Sequence, residues 1–159
     1  CALAVENNIN VTLHADWEVP AGIKEVVLDS KAKRVGHGSQ IINDISFENG
    51  AISFNNDAAK YVFDNKIALE ICPTSNVQCG AYSNVSEHSF GELYNAGFNV
   101  TINTDNRLMS DITMSEEVSN VVESFGLGEK DILSITKNTI EAGFVESKLR
   151  SGLLEKLFS

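Results

Sequence analysis

The chain has 159 residues, 43% of them hydrophobic and 21% charged, the balance of a globular protein with room for one core and not two. A formal charge of −10 argues against a nucleic-acid partner, which calls for clustered Lys and Arg, and against an anionic membrane surface. The three cysteines, Cys1, Cys72 and Cys79, are odd in number and irregularly spaced, which excludes a disulfide framework. No signal peptide and no apolar run of the ~18 residues that suggest a membrane span is found, and a reducing cytoplasm is expected.

In chain order, Cys1-Ala2-Leu3-Ala4-Val5-Glu6 reads as the tail of a helix begun earlier. A fragment, a processed product or a chain that lacks its first half is therefore expected. Residues 9–15 form the first predicted strand. Ile23, Val26 and Val27 share a helical face after it. Residues 34–38 form the second strand, the weakest by propensity because Gly36 and Gly38 interrupt it. Residues 39–55 carry Ile41, Ile42, Ile45 and Ile52 without a clear period, and an ordered loop with a short helix is expected there. Asn56 is placed to cap a helix through Ala58, Ala59, Val62 and Phe63.

The third strand covers residues 67–72, and Cys72 within this apolar run reads as a buried free thiol. Residues 89–96 set Phe90, Leu93 and Tyr94 on one face, with Gly97 as a left-handed stop. The fourth strand covers residues 98–104. Thr113-Met-Ser-Glu116 matches a capping box ahead of Val118, Val121 and Val122. Two helices, over 129–142 and 146–158, complete the chain.

Strands that alternate with helices imply parallel pairing through right-handed crossovers. Four β/α units plus C-terminal helices are half of a (β/α)8 barrel, and residues 1–159 are expected to form a single domain of that kind. A flavodoxin-like open sheet is the rival, although a fifth strand is not found. A half-barrel leaves two strand edges and an inner face uncovered. An exposed apolar face and unpaired parallel edges are expected, and with them pairing with a second half or a second copy, or aggregation.

The chemistry of a β/α barrel sits at the carboxyl ends of its strands. Those ends carry His14, His37 and Asp105, and a fourth carries Cys72-Pro73-Thr74-Ser75-Asn76. Two imidazoles and a carboxylate suit a divalent metal of zinc type. A lone His after a strand is more often a hydrogen-bonded structural residue, and a lone Asp more often a helix cap. The convergence of all three at one end of the sheet shifts that balance toward a metal site. His88, the remaining histidine, lies in the turn before a helix.

Four motifs in order, Leu13-His14-Ala15, Arg34-Val-Gly-His37-Gly38, Leu69-Glu-Ile-Cys-Pro-Thr-Ser-Asn76 and Asn103-Thr-Asp105-Asn106, resemble the carboxyl half of adenosine deaminases. These are zinc-dependent members of the amidohydrolase superfamily with a (β/α)8 barrel. The resemblance runs over essentially the whole chain, and Asn106-Arg-Leu-Met-Ser110 is similar to the bacterial branch. It implies that His14 and Asp105 are metal ligands, that His37 orients and deprotonates the attacking water, and that Asn106 contacts the purine. It also implies one Zn2+ per complete site, an aminopurine nucleoside substrate and hydrolysis of adenosine to inosine. A metal of this kind lowers the pKa of its water to about 7.

The chain departs from the family pattern in two places. The family's opening His-x-His pair is absent, so only two ligands remain where catalytic zinc normally has three. The family's His-Ala-Gly-Glu, whose glutamate is the acid that protonates the ring, is here His14-Ala15-Asp16-Trp17-Glu18. Trp17 cannot donate the proton, and Glu18 replaces it only if the loop shifts by one residue. The expectation is an inactive chain on its own, needing a second half-barrel. A non-catalytic binding or interaction module derived from a deaminase is the alternative.

Overall fold

Residues 2–15, 22–48 and 51–159 are described by a computed structural model of the chain, apart from the side chains of Ala2 and Glu48. In chain order the strands are β1 (Thr12–Ala15), β2 (Arg34–His37), β3 (Ile45–Glu48), β4 (Ala51–Phe54), β5 (Ala68–Ile71) and β6 (Val100–Ile102). Strands β1, β2, β5 and β6 form one sheet in that spatial order, and every pair in it is parallel. Each strand thus lies beside its predecessor in the sheet, with no reversal. A doubly wound sheet reverses its order at a switch point, whereas a barrel does not. The architecture is therefore half of a β/α barrel. The predicted strands at 9–15, 34–38, 67–72 and 98–104 contain the four observed ones, trimmed by one to four residues at their ends.

Side-chain alternation divides the sheet into two faces. Val35, Leu69, Ile71, Val100 and Ile102 point outward and are buried under the helices, with Leu13 packed against them. The register sets Thr12 opposite Arg34 and Glu70 opposite Thr101 on the inner face. There the Thr12 hydroxyl donates to Glu70 Oε2 at 2.6 Å. Arg34 Nε lies 2.9 Å from Glu70 Oε1, an ion-pair contact in which the N–H is not aimed at the oxygen. Asn103 Nδ2 donates to the Thr101 hydroxyl at 2.8 Å. The expectation of an exposed apolar inner face is thus corrected. That face is polar and largely bonded to itself, because inward positions on these strands carry Thr, Arg, Glu and Asn.

The helices are α1 (Ala2–Glu6), α2 (Gly22–Lys24), α3 (Asp57–Asp64), α4 (Pro73–Gln78), α5 (Phe90–Asn95), α6 (Arg107–Ser110), α7 (Met114–Phe125), α8 (Glu129–Ala142) and α9 (Ser147–Leu157). Helix α2 runs directly into a π-type turn, Glu25–Asp29, which buries Val26 and Val27. Capping follows the sequence closely. Asn56 accepts the Ala59 N–H, Thr113 and Glu116 form the reciprocal box, and Gly97 has φ of +88°.

Three elements differ from expectation. The stretch 39–55 contains the expected short helix, a 3-10 helix at Ser39–Asp44, and also the antiparallel hairpin β3–β4. Ile41 and Ile45 are four residues apart, a helical spacing that hides the hairpin's alternation. Helix α4 begins at Pro73, where a strand end was read. Proline at the first turn gives up an N–H that has no intrahelical partner anyway. Helix α9 leaves Leu149 and Leu153 substantially exposed, so its apolar stripe is only partly covered.

Candidate functional site

The carboxyl ends of β1 and β2, together with the loop after β6, bring His14, His37 and Asp105 together as the sequence suggests. The His14 and His37 rings meet edge-on, with centroids 4.7 Å apart. His37 Nε2 lies 3.8 Å from Asp105 Oδ2, beyond direct hydrogen-bond reach and within ion-pair range. His37 is buried, while His14 and Asp105 face the open concavity. Thr12, Glu70, Cys72, Asn103 and Met114 share its wall.

The backbone at this rim is unusual. His37 has φ of +58° and Asp105 φ of +53°. A residue with a Cβ enters the left-handed region at a cost of about 1–2 kcal/mol. Such conformations persist where the surroundings impose them, and they gather at functional sites. Gly38 extends the same turn at φ of +71°, and a Cβ there would stand 2.8 Å from Leu69 Cδ2. The second glycine that weakens the strand's propensity is thus required by the turn that aims His37.

Several residues that hold the site have no individual role in the sequence reading, although Ser75 and Asn76 belong to its strand-end motif. The Ser75 hydroxyl donates to Asp105 Oδ2 at 2.7 Å and anchors that carboxylate from α4. Glu117, fully buried on α7, accepts the Thr74 N–H on Oε1 at 2.9 Å, while Oε2 has no hydrogen-bond partner among the described residues. It holds the first turn of α4 in place. Asn76, on the same helix, lies between two imidazoles: His37 Nδ1 at 3.3 Å and His88 Nε2 at 3.1 Å. The motif Cys72-Pro73-Thr74-Ser75-Asn76 was legible as a strand end, but its side chains act only because α4 turns them back toward β2 and β6.

Asn106 is exposed, and its Oδ1 accepts the Met109 N–H at 3.2 Å as the cap of α6. It does not line the concavity formed by His14, His37 and Asp105. Cys72 is a buried free thiol, as expected. Burial, with lesser contributions from Asp105 and Glu117, pushes it far above the usual thiol range. Cys1, Asp16, Trp17 and Glu18 lie outside the described residues.

His88 is 3% exposed and stacks with Tyr82, ring centroids 4.0 Å apart. Burial, and secondarily the His37 ring, lowers it from 6.5 to about 4. The unfolded state therefore binds this proton more readily than the folded state. The stability that a neutral His88 contributes is complete above pH 6.5 and is lost as pH falls toward 4, a total on the order of 3 kcal/mol. Urea denaturation at pH 7 and pH 4.5 should show a larger fall in stability for the wild type than for His88→Phe, which cannot take up the proton. Equal falls would mean that His88 is not held neutral.

As a metal site, the donor types fit and the donor number does not. His14 and Asp105 offer an imidazole and a carboxylate, the borderline set that zinc accepts. Among the described residues no group of three His, Cys, Asp or Glu side chains is arranged to hold a metal ion.

The adenosine deaminase family profile matches residues 1–159. An adenosine deaminase of Mycobacterium sp. (strain JLS) is 41% identical over 152 residues, which cover 94% of this chain and 41% of the relative. Among solved structures, the adenine deaminase of Arthrobacter aurescens superposes with a TM-score of 0.86 at 22% identity, over 99% of this chain and 45% of that one. The N6-methyl-AMP deaminase of Arabidopsis thaliana gives 0.77 at 28% identity, over 98% of this chain and 42% of that one. The chain thus spans less than half the length of these relatives.

Proposed function

The chain belongs to the adenosine deaminase family, and on that premise we propose that residues 1–159 act as one unit, the carboxyl half of a hydrolytic deaminase that converts adenosine to inosine. The observation that carries this reading is the meeting of His14, His37 and Asp105 at one end of a parallel half-barrel, two of them on left-handed backbone.

In this reading His14 and Asp105 would hold a zinc ion together with ligands from a complementary half, and the metal would supply Lewis-acid activation of water. His37 orients that water, and Ser75 keeps Asp105 turned toward it. Water oxygen bonds to the purine carbon that bears the amino group; one water proton passes to the amino nitrogen and the other restores the acid that protonates the ring; the C–N bond then breaks and ammonia leaves. Asn106 stands outside the concavity and caps α6 through Oδ1, so the purine contact proposed for it would be made through Nδ2 by a substrate that extends beyond the wall. The ring proton comes from Glu18 or from an acid on the other half. The free thiols Cys72 and Cys79 suit a cytoplasmic setting. Among the described residues, no helix is long and apolar enough to cross a membrane.

The incomplete ligand set favours one second reading, a non-catalytic interaction module that keeps the fold. Reconstitution separates the two. The chain is mixed, or co-expressed, with the amino-terminal half of a relative and supplied with zinc, and adenosine loss is followed by ultraviolet absorbance, with adenine and N6-methyl-AMP as competing substrates. Chelator-sensitive turnover in the mixture and none from the chain alone is the expected result. A stable complex that turns over no aminopurine would leave the interaction module as the better reading.

A further inference from the structure

A chain of hydrogen bonds leads from the start of α5 to the candidate site, and its polarity can be worked out one step at a time. The Phe90 backbone N–H can only donate, and it lies 2.9 Å from His88 Nδ1. His88 Nδ1 is therefore an acceptor. A neutral imidazole carries one N–H, so the hydrogen of His88 sits on Nε2. That position makes Nε2 a donor, and the Asn76 atom 3.1 Å away must be the carbonyl oxygen. The orientation of the Asn76 amide is fixed by this partner, and an amide flip would set two donors against each other. Its NH2 group then faces His37 Nδ1 at 3.3 Å and donates to it.

His37 Nδ1 is thus an acceptor, and the ring hydrogen of His37 belongs on Nε2, the nitrogen on the Asp105 side. We propose that His88, acting through Asn76, is a positioning residue that dictates which nitrogen of His37 carries its hydrogen. The consequence for chemistry is specific. His37 presents a donor toward Asp105, so it orients a water by donating to it, and Asp105 is left as the acceptor of the water's proton. Burial supports the arrangement. His88 and Asn76 are 3% and 2% exposed, and Tyr82 covers the His88 ring while its hydroxyl bonds to that of Ser89 at 2.8 Å. Buried hydrogen bonds of this kind lie in a low-dielectric setting, where each is stronger than in water.

The tautomer can be read on the chain itself, whereas its catalytic consequence rests on the deaminase reading. With only three histidines, long-range proton–nitrogen spectra of histidine-labelled protein resolve each ring nitrogen. The expected result is hydrogen on Nε2 and a bare Nδ1 for both His37 and His88. Asn76→Asp, which offers an acceptor to both rings, should move the His37 hydrogen to Nδ1. His88→Phe keeps the ring volume and removes the donor that sets the Asn76 carbonyl, so the His37 tautomer should shift toward Nδ1.

A wild-type His37 with its hydrogen on Nδ1 would overturn the proposal, as would a His37 unchanged in both variants. In the reconstituted enzyme, His88→Phe should lower kcat about tenfold with KM within about twofold, the scale on which outer hydrogen-bond partners act. Unchanged kcat would remove the catalytic consequence. A reconstituted wild type without activity would sink the deaminase reading, and the spectra would still decide the tautomer.

Discussion

Phe90→Ala is expected to destabilise the protein by about 3–5 kcal/mol, the usual cost of truncating a fully buried aromatic. Phe90 has no exposed surface and packs between the rings of Phe125 and Tyr94, at centroid distances of 5.5 and 6.4 Å. Phe125 is seated against Gly91 so closely that a Cβ there would lie 2.6 Å from it. The neighbours are thus set by contact on several sides and have little freedom to close the hole. Domains of this size have about 5–15 kcal/mol in total, so the variant should lose a large share of its stability. The same change reaches the site, because the Phe90 N–H anchors His88 Nδ1. Urea denaturation checks the magnitude, with Leu108→Ala as the control. Leu108 is 89% exposed, and its truncation should stay within about 0.5 kcal/mol. A cost for Phe90→Ala below about 1.5 kcal/mol would mean that α5 is not packed against α7 as described.

The sheet could be read from the sequence because buried parallel strands are short, apolar and punctuated. Residues 67–72 and 98–104 show this plainly, and Leu69, Ile71, Val100 and Ile102 are all buried. The second strand carries two glycines and was assigned by the order of elements. The structure gives the reason for one of them: Gly38 has a left-handed backbone and no room for a side chain. His14, His37 and Asp105 were legible because a barrel delivers strand ends to one place.

Ser75, Asn76, Glu117 and His88 were not legible as site residues. Their roles arise from contacts between residues 12 to 43 positions apart, and no local period records such distances. His88 shows the difficulty most clearly. In sequence it is a polar residue in a turn, and only the fold sets its ring against Asn76.

The polar inner face changes how association of the half-barrel is to be understood. Thr12 bonds to Glu70 and Arg34 pairs with it, so that side is polar and little apolar area awaits cover. Among the described residues, no strand pairs with the outer edges of β1 and β6. Open parallel edges can pair with another strand, whether from a chain that continues the same barrel or through aggregation. A complementary half would also bring ligands to the end of the sheet where His14 and Asp105 already stand.

Asp105→Asn should lower kcat/KM of the reconstituted enzyme by about 10²–10⁴, the range lost with a group that transfers a proton in the transition state. Asparagine is the informative replacement because it changes little else. It tolerates left-handed backbone, so the φ of +53° is retained, and its Oδ1 still accepts the Ser75 hydroxyl. The exposed carboxylate lies at the end of β6, away from the Phe90 core, and the thermal midpoint should stay within a few degrees. What is lost is the negative charge, and with it the metal ligand and the acceptor opposite His37 Nε2 that the proposed function assigns to Asp105. Zinc affinity, measured by competition with a chromophoric chelator, should fall together with the rate. A rate that falls while zinc binding is intact would confine Asp105 to proton transfer. Unchanged rate and unchanged zinc binding would remove Asp105 from the site altogether, and the meeting of His14 with His37 would then be a packing contact alone.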